Sequence, residues 1–210
     1  MFQFQFHQLA YNWTWEYKPS IIYKEQTAAD WLADYKKLTS KNIDTVECFW
    51  NVYDRLPGLH QLEFGNIYSI FRNEIKPVWE HSENENGFSL ILYLNKANTH
   101  EYTMEIYLKS LMVLIGNAYP FSVILNGCTF ERKAGGNKIV FWFKELISKE
   151  KSLNIRDQLL KAVEIEPDDF TFWDTLGSSG RIDWKLPLFQ NYKMAISVKA
   201  HRKDKEKILF

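Results

Sequence analysis

The sequence predicts an α+β fold, with mainly antiparallel strands packed on one side by helices. Two observations lead there. Apolar residues recur at helical spacing near 46–56, 100–116 and 153–163, and these stretches interleave with short runs of β-forming residues. Two of those runs flank Ala134-Gly135-Gly136-Asn137, a pattern expected of a hairpin turn. No internal repeat and no linker divides the 210 residues, so a single domain over 1–210 with a sizeable core is expected.

In chain order, residues 2–15 are rich in Phe and Trp and read as an extended segment. Residues 18–30 read as a loop, and 35–38 as a short strand. Thr45 can cap the first helix, in which Val46, Phe49, Trp50, Tyr53 and Leu56 follow at helical spacing until Pro57-Gly58 stops it. Residues 68–71 and 88–94 suit strands. Between them lie the loop Pro77-Val78-Trp79-Glu80 and a polar run at 81–86 that reads as solvated. The second helix, over 100–116, carries Met104, Tyr107, Leu108, Leu111, Met112, Leu114 and Ile115. That apolar band is too wide for one buried stripe and leaves a side for a partner. Strands at 123–132 and 138–144 surround the hairpin turn, and a third amphipathic helix covers 153–163. Residues 167–190 mix Pro, Gly and Ser with Phe170, Phe172, Trp173 and Trp184, and are expected to form a long ordered insertion. A late strand near 194–198 and a basic, mobile tail at 201–210 complete the chain.

Composition excludes several classes. A net charge of zero argues against broad electrostatic binding to long nucleic acid, yet leaves room for one nucleotide held by a few local cations. Eight Trp exceed what a core needs, which points some of them at a ligand or partner. Two isolated cysteines, Cys48 and Cys128, give no disulfide framework and suggest a reducing compartment. The first residues alternate instead of running apolar, and no stretch approaches a membrane span. No membrane association, a cytoplasmic location and an unmodified Asn12-Trp13-Thr14 sequon are therefore expected. Phosphate-loop and metalloprotease motifs are missing, and His7, His60, His81, His100 and His201 are scattered without metal spacing. Gly177-Ser178-Ser179-Gly180 lacks a strand–turn–helix setting and reads as a flexible loop. Neither an enzyme nor a cofactor or metal is expected.

The most telling segment is Lys76-Pro77-Val78-Trp79-Glu80. A Trp beside a carboxylate, behind a stiffening proline, can stack on a flat base and read its hydrogen-bonding edge. Taken with Trp31 and the basic stretch 132–138, it points to a site for one modified guanine nucleotide. A 7-methylguanine base is cationic, so two indole faces add cation–π attraction to stacking, about 2 kcal/mol or more when desolvated and roughly 1–3 kcal/mol per stacked base. A carboxylate can accept from both N1–H and the N2 amino group, a bidentate contact that favours guanine over adenine. Each residue has a plainer use. Trp79 suits core packing, Trp31 a surface contact and Trp142 an apolar strand, while the cations suit a solvated turn.

These motifs resemble the eukaryotic translation initiation factor 4E family, the messenger RNA cap-binding proteins. The matching stretches are His7-Gln8-Leu9 with Asn12-Trp13-Thr14, then Asp44-Thr45-Val46-Glu47-Cys48-Phe49-Trp50, then Tyr68-Ser69-Ile70-Phe71 through Glu80. Residues 111–116 and Gly136-Asn137-Lys138-Ile139-Val140-Phe141-Trp142 continue them in register. The order holds from about residue 7 to 165 and resumes near 193, and residues 167–190 find no counterpart.

The resemblance implies a curved antiparallel sheet with three helices on its convex face and a cap slot on its concave face. It implies that Trp31 and Trp79 sandwich the base, Glu80 reads its edge, the Trp79 amide meets O6 and Trp142 lies against the methyl group. Lys138 and either Arg132 or Lys133 would hold the phosphates. It also implies that an amphipathic peptide helix, from a scaffold factor 4G-like protein or a 4E-binding repressor, docks on a monomer. His7, Gln8, Val46, Trp50, Leu108, Lys109, Met112 and Gly116 would receive it, with core packing as the plainer use of Trp50. Gln8 replaces an expected proline and Lys109 an expected glutamate, which suggests a divergent partner. A cap-binding repressor, a specialised isoform, or a protein–protein adaptor with a degenerate slot are the alternatives.

Overall fold

The computed structural model describes residues 6–20, 28–95, 99–165, 172–177 and 195–196. Strands and helices alternate: β1 (Gln8–Lys18), α1 (Ala28–Ala33), β2 (Lys36–Lys37), β3 (Ile43–Thr45), α2 (Val46–Tyr53), β4 (Ile67–Arg72), α3 (Ser82–Glu85) and β5 (Phe88–Asn95). Then follow α4 (His100–Gly116), β6 (Leu125–Lys133), β7 (Gly136–Phe143), α5 (Lys149–Val163), β8 (Phe172–Gly177) and β9 (Ala195–Ile196). The strands form one curved, open sheet in the order β2-β1-β4-β6-β7-β5-β8-β9, with β3 also paired to β1. All pairings are antiparallel except β8 with β9.

Three expected helices are present, each started by a side chain that satisfies a free backbone amide. Cys48 N–H donates to Thr45 Oγ1, Tyr102 N–H to Thr99 Oγ1 and Lys151 N–H to Ser148 Oγ. The first helix stops at Tyr53, three residues early, and unwinds through turns to Leu56. The wide apolar band of α4 is explained by two neighbours, because the helix packs on the sheet and also against α5. Leu108 and Met112 remain half-buried.

Strand pleating divides the sheet's side chains into two sets. Trp15, Ile70, Cys128, Phe141 and Leu90 are paired across five strands and enter the core with Phe49, Val52, Ile106, Tyr107 and Leu111 of the helices. Burial raises the Cys128 thiol far above its usual range and pushes Tyr68, beside Tyr17, up to about 12. The opposite face carries the candidate site.

Three local expectations change. Residues 18–30 are not all loop, since β1 runs to Lys18 and α1 begins at Ala28. The polar run 81–86 is not simply solvated, because it folds into α3 and Asn84 is fully buried. Within 167–190 the structure has the strand β8 beside β5, and the remainder of that stretch and the tail 201–210 lie outside the described residues.

Candidate functional site

The open face is built from rows of side chains that register brings together. One row is Thr14, Phe71, Gly127, Trp142 and Ser89; another, nearer the hairpin, is Lys18, Ile67, Glu131, Lys138 and Tyr93. Gly127 has a steric purpose, because a Cβ there would lie 2.4 Å from the Phe71 ring. Without one, Phe71 sits edge-on to Trp142, with ring centroids 5.8 Å apart. The Trp142 indole N–H is buried and has no hydrogen-bond partner among the described residues.

Trp79 reaches this face from the loop after β4. Its ring lies 4.5 Å from that of Trp142, the planes diverging by 38°. Trp79 is half-buried and Glu80 is exposed, so the acid stays available next to the indole. Two devices hold the loop. Lys76 Nζ lies 2.7 Å from Glu16 Oε1, a buried carboxylate on the same face of β1. Behind the loop, Asn84 Nδ2 donates to the Lys76 and Val78 carbonyls at 2.8 and 2.9 Å. Asn126 in turn donates to Asn84 Oδ1 and the Glu83 carbonyl, and accepts from Arg72 Nη2. These buried groups are mutually satisfied, which makes the loop's position a built feature. Neither asparagine was singled out in sequence; Asn126 carried a signal, as a polar residue inside the apolar run 123–128, while Asn84 within the polar run 81–86 carried none.

The cations separate by strand parity. Lys133 and Lys138 share the open face with Glu131, at 2.6 and 3.9 Å from its carboxylate oxygens. Arg132 does not join them, which corrects one of the two phosphate assignments left open. Alternation turns it to the helix side, where its guanidinium donates to the carbonyls of Leu59 (3.2 Å), His60 and Leu62 and lies over the Phe64 ring. Lys138 stands four residues from Trp142 on β7, about 13 Å along the strand. That span suits a ligand with a flat base at one end and anionic groups at the other.

Trp31 lies on α1, and its side chain is outside the described residues. The segment is pinned near the open face, since Asp34, just past α1, pairs at 3.6 Å with the buried Lys18 of β1.

The helix side presents a second surface. Trp50 is 36% exposed and packs edge-on against Phe49 and Tyr53. Val46, Leu108 and Met112 are half-buried, while Gln8 and Gly116 are exposed and the space beside Gly116 is open. His7 is tied to α2: its ring meets Glu47 at 2.6 Å and its carbonyl accepts from Val46 N–H at 2.9 Å. The His7 contact lowers the Glu47 carboxyl below its ordinary value. Lys109 is clasped by Glu105 and Glu164, each at 2.6 Å, and these bonds hold its ammonium above the usual range. A groove of about 620 Å³, bordered by Tyr17, Leu38, Val52, Leu56 and Tyr68, continues beyond the end of α2.

The family model for Eukaryotic initiation factor 4E matches residues 8–181. The chain belongs to that family. The match takes in β8, so it reaches into the 167–190 stretch that the sequence motifs left without a counterpart. Eukaryotic translation initiation factor 4E of Aplysia californica is 27% identical over 147 residues, 70% of this chain and 67% of the relative. Factor 4E1 of Drosophila melanogaster is 28% identical over 159 residues, 76% of this chain and 58% of the relative. The first such relatives are thus matched over 58% to 67% of their own length. Among solved structures, Ascaris suum eIF4E-3 with an m2,2,7G cap is similar with a TM-score of 0.72 at 23% identity, covering 81% of this chain and 91% of that one. The Caenorhabditis elegans eIF4E-3 complex with the 4E-binding protein Mextli and a cap analog gives 0.69 at 22%, covering 80% and 92%. At these identities the likeness shows a common fold for the factor 4E family and this chain.

Proposed function

We propose that this chain binds the 7-methylguanosine cap of messenger RNA on its open face, without chemical transformation, and docks an amphipathic partner helix on its helix-covered face. The observation that carries the reading is Trp79 leaning on Trp142 on the open face, with exposed Glu80 adjoining, and Lys133 and Lys138 on the same face, Lys138 about 13 Å along β7 from Trp142. Similar structures hold caps and 4E-binding proteins, which fits both halves of the proposal.

In this reading Trp79 stacks on the cationic base, with Trp31 supplying the second plate and Trp142 meeting the methyl edge. Glu80 accepts from the guanine edge, and Lys133 and Lys138 neutralise the phosphates. The whole chain acts as one cytoplasmic, monomeric domain in translation initiation. No helix among the described residues is long and apolar enough to cross a membrane. The partner is a scaffold factor 4G-like protein or a 4E-binding repressor, seated across Trp50, Leu108 and Met112. Lys109 does not present a bare positive charge to it. Two carboxylates around one ammonium leave that spot net negative, so a basic partner residue is tolerated where Lys109 replaces the expected glutamate. A repressor reading rests on the same surface and differs in what the partner then recruits.

A double dissociation tests the proposal. Glu80→Ala should lower 7-methyl-GTP affinity by about ten- to a hundredfold, the loss expected of a charge-assisted contact, while a docked 4E-binding peptide is retained. Trp50→Ala should do the reverse. Loss of both activities in either variant would contradict the two-surface assignment.

A further inference from the structure

The hairpin that carries the cations also carries an acid, and register places it in their midst. Glu131 and Lys138 are direct cross-strand partners, and Lys133 follows two residues later on the same face of β6. The Glu131 carboxylate lies 2.6 Å from Lys133 Nζ and 3.9 Å from Lys138 Nζ, and its side chain is 20% exposed. A phosphate chain approaching these lysines meets a fixed negative charge already engaged with both.

We infer that Glu131 is a specificity-determining residue that limits how much of ligand binding comes from phosphate, by occupying Lys133 and Lys138 as an internal counter-ion. The inference rests on the open face being the nucleotide site. Phosphate oxygens and the Glu131 carboxylate compete for the same ammonium protons, and two anions sharing one small basic site repel. Each lysine contact with phosphate therefore replaces an existing ion pair instead of adding a new one. Base stacking and edge reading belong to Trp79 and Glu80 on the loop after β4, beside Trp142, which stands about 13 Å along β7 from Lys138, and are untouched by the exchange. Binding should thus depend weakly on the number of phosphates and have a shallow salt dependence, because few counterions are released. A ligand with an uncharged or shortened 5′ side is penalised little.

The test compares wild type with Glu131→Gln, which keeps side-chain size and removes the charge. Tryptophan fluorescence titrations use 7-methylguanosine, 7-methyl-GMP and 7-methyl-GTP at two salt concentrations. The substitution should tighten 7-methyl-GTP by about fivefold, the scale of one partly exposed ion pair, and steepen its salt slope, while nucleoside affinity stays within twofold. Adding Lys133→Met to Glu131→Gln should cancel most of the gain, an effect that a merely structural role for Glu131 would not produce. Glu131→Thr, which suits a strand, should change affinity in the same direction and covers the case in which the glutamine variant fails to fold. Nucleoside binding with an unchanged or reduced triphosphate-to-nucleoside ratio in the variants would overturn the role given to Glu131 alone. Failure of wild type to bind any of the three ligands would overturn the nucleotide site itself, and this inference with it.

Discussion

Between Arg132 and Lys133 strand β6 turns over by one residue, so one cation faces the helices and the other the open surface. The sequence offered both as phosphate ligands, because charge alone does not reveal parity and the hairpin register was ambiguous by one residue. The structure separates their expected consequences. Arg132→Met removes the donor that holds three carbonyls beside a 3-10 turn, and should cost about 1.5–3 kcal/mol of stability. For a chain of this size that lowers the melting temperature by roughly 3–12 °C, with 7-methyl-GTP affinity unchanged in the folded fraction. Lys133→Met should instead leave the melting temperature within about 2 °C, as for most surface substitutions, and weaken triphosphate binding by a few fold. Thermal melts beside fluorescence titrations check both, and exchanged phenotypes would reverse the assignment.

At the level of elements, the loop bearing Trp79 and Glu80 owes its position to side chains distant in sequence. Asn84 on α3 grips two loop carbonyls, Asn126 grips α3, and Arg72 grips Asn126. Replacing Asn126 by Leu keeps the volume and removes the link, leaving buried polar groups unpaired. A loss of roughly 2–4 kcal/mol is expected, with faster amide exchange concentrated in residues 76–85 well below the melting temperature. Uniform loss of protection across the sheet would show instead that Asn126 merely supports the core. This network explains why 81–86 misread as solvated: a run of Ser, Glu and Asn looks wet in sequence, yet one Asn is buried because backbone carbonyls satisfy it. Short α1 was likewise illegible, since six residues hold too little of a helical period to register. The long helices α4 and α5 and the β6–β7 hairpin were legible because their periods run for many residues and Gly135-Gly136 marks the turn, although α5 starts at Lys149, four residues before the expected 153.

Across the whole molecule, one sheet separates two tasks. Its helix side buries the indoles of Trp13 and Trp15 in the core, and its open side displays Trp142 to Trp79. Sequence distinguished these tryptophans through motif context and not through composition, since every one is an aromatic residue in an apolar setting. What it could not show was Glu131 lying between the two lysines, because its contact with Lys138 depends on register across the hairpin. The central claim is that Trp79, with Trp31 as the second plate, recognises the positive charge of a methylated guanine. Its most direct test is a tryptophan fluorescence titration of the intact chain with 7-methyl-GTP and with unmethylated GTP in matched salt. Quenching by 7-methyl-GTP at about thirtyfold or greater preference over GTP is expected, the equivalent of about 2 kcal/mol of cation–π attraction. Equal affinity for the two nucleotides, or no quenching by either, would contradict it.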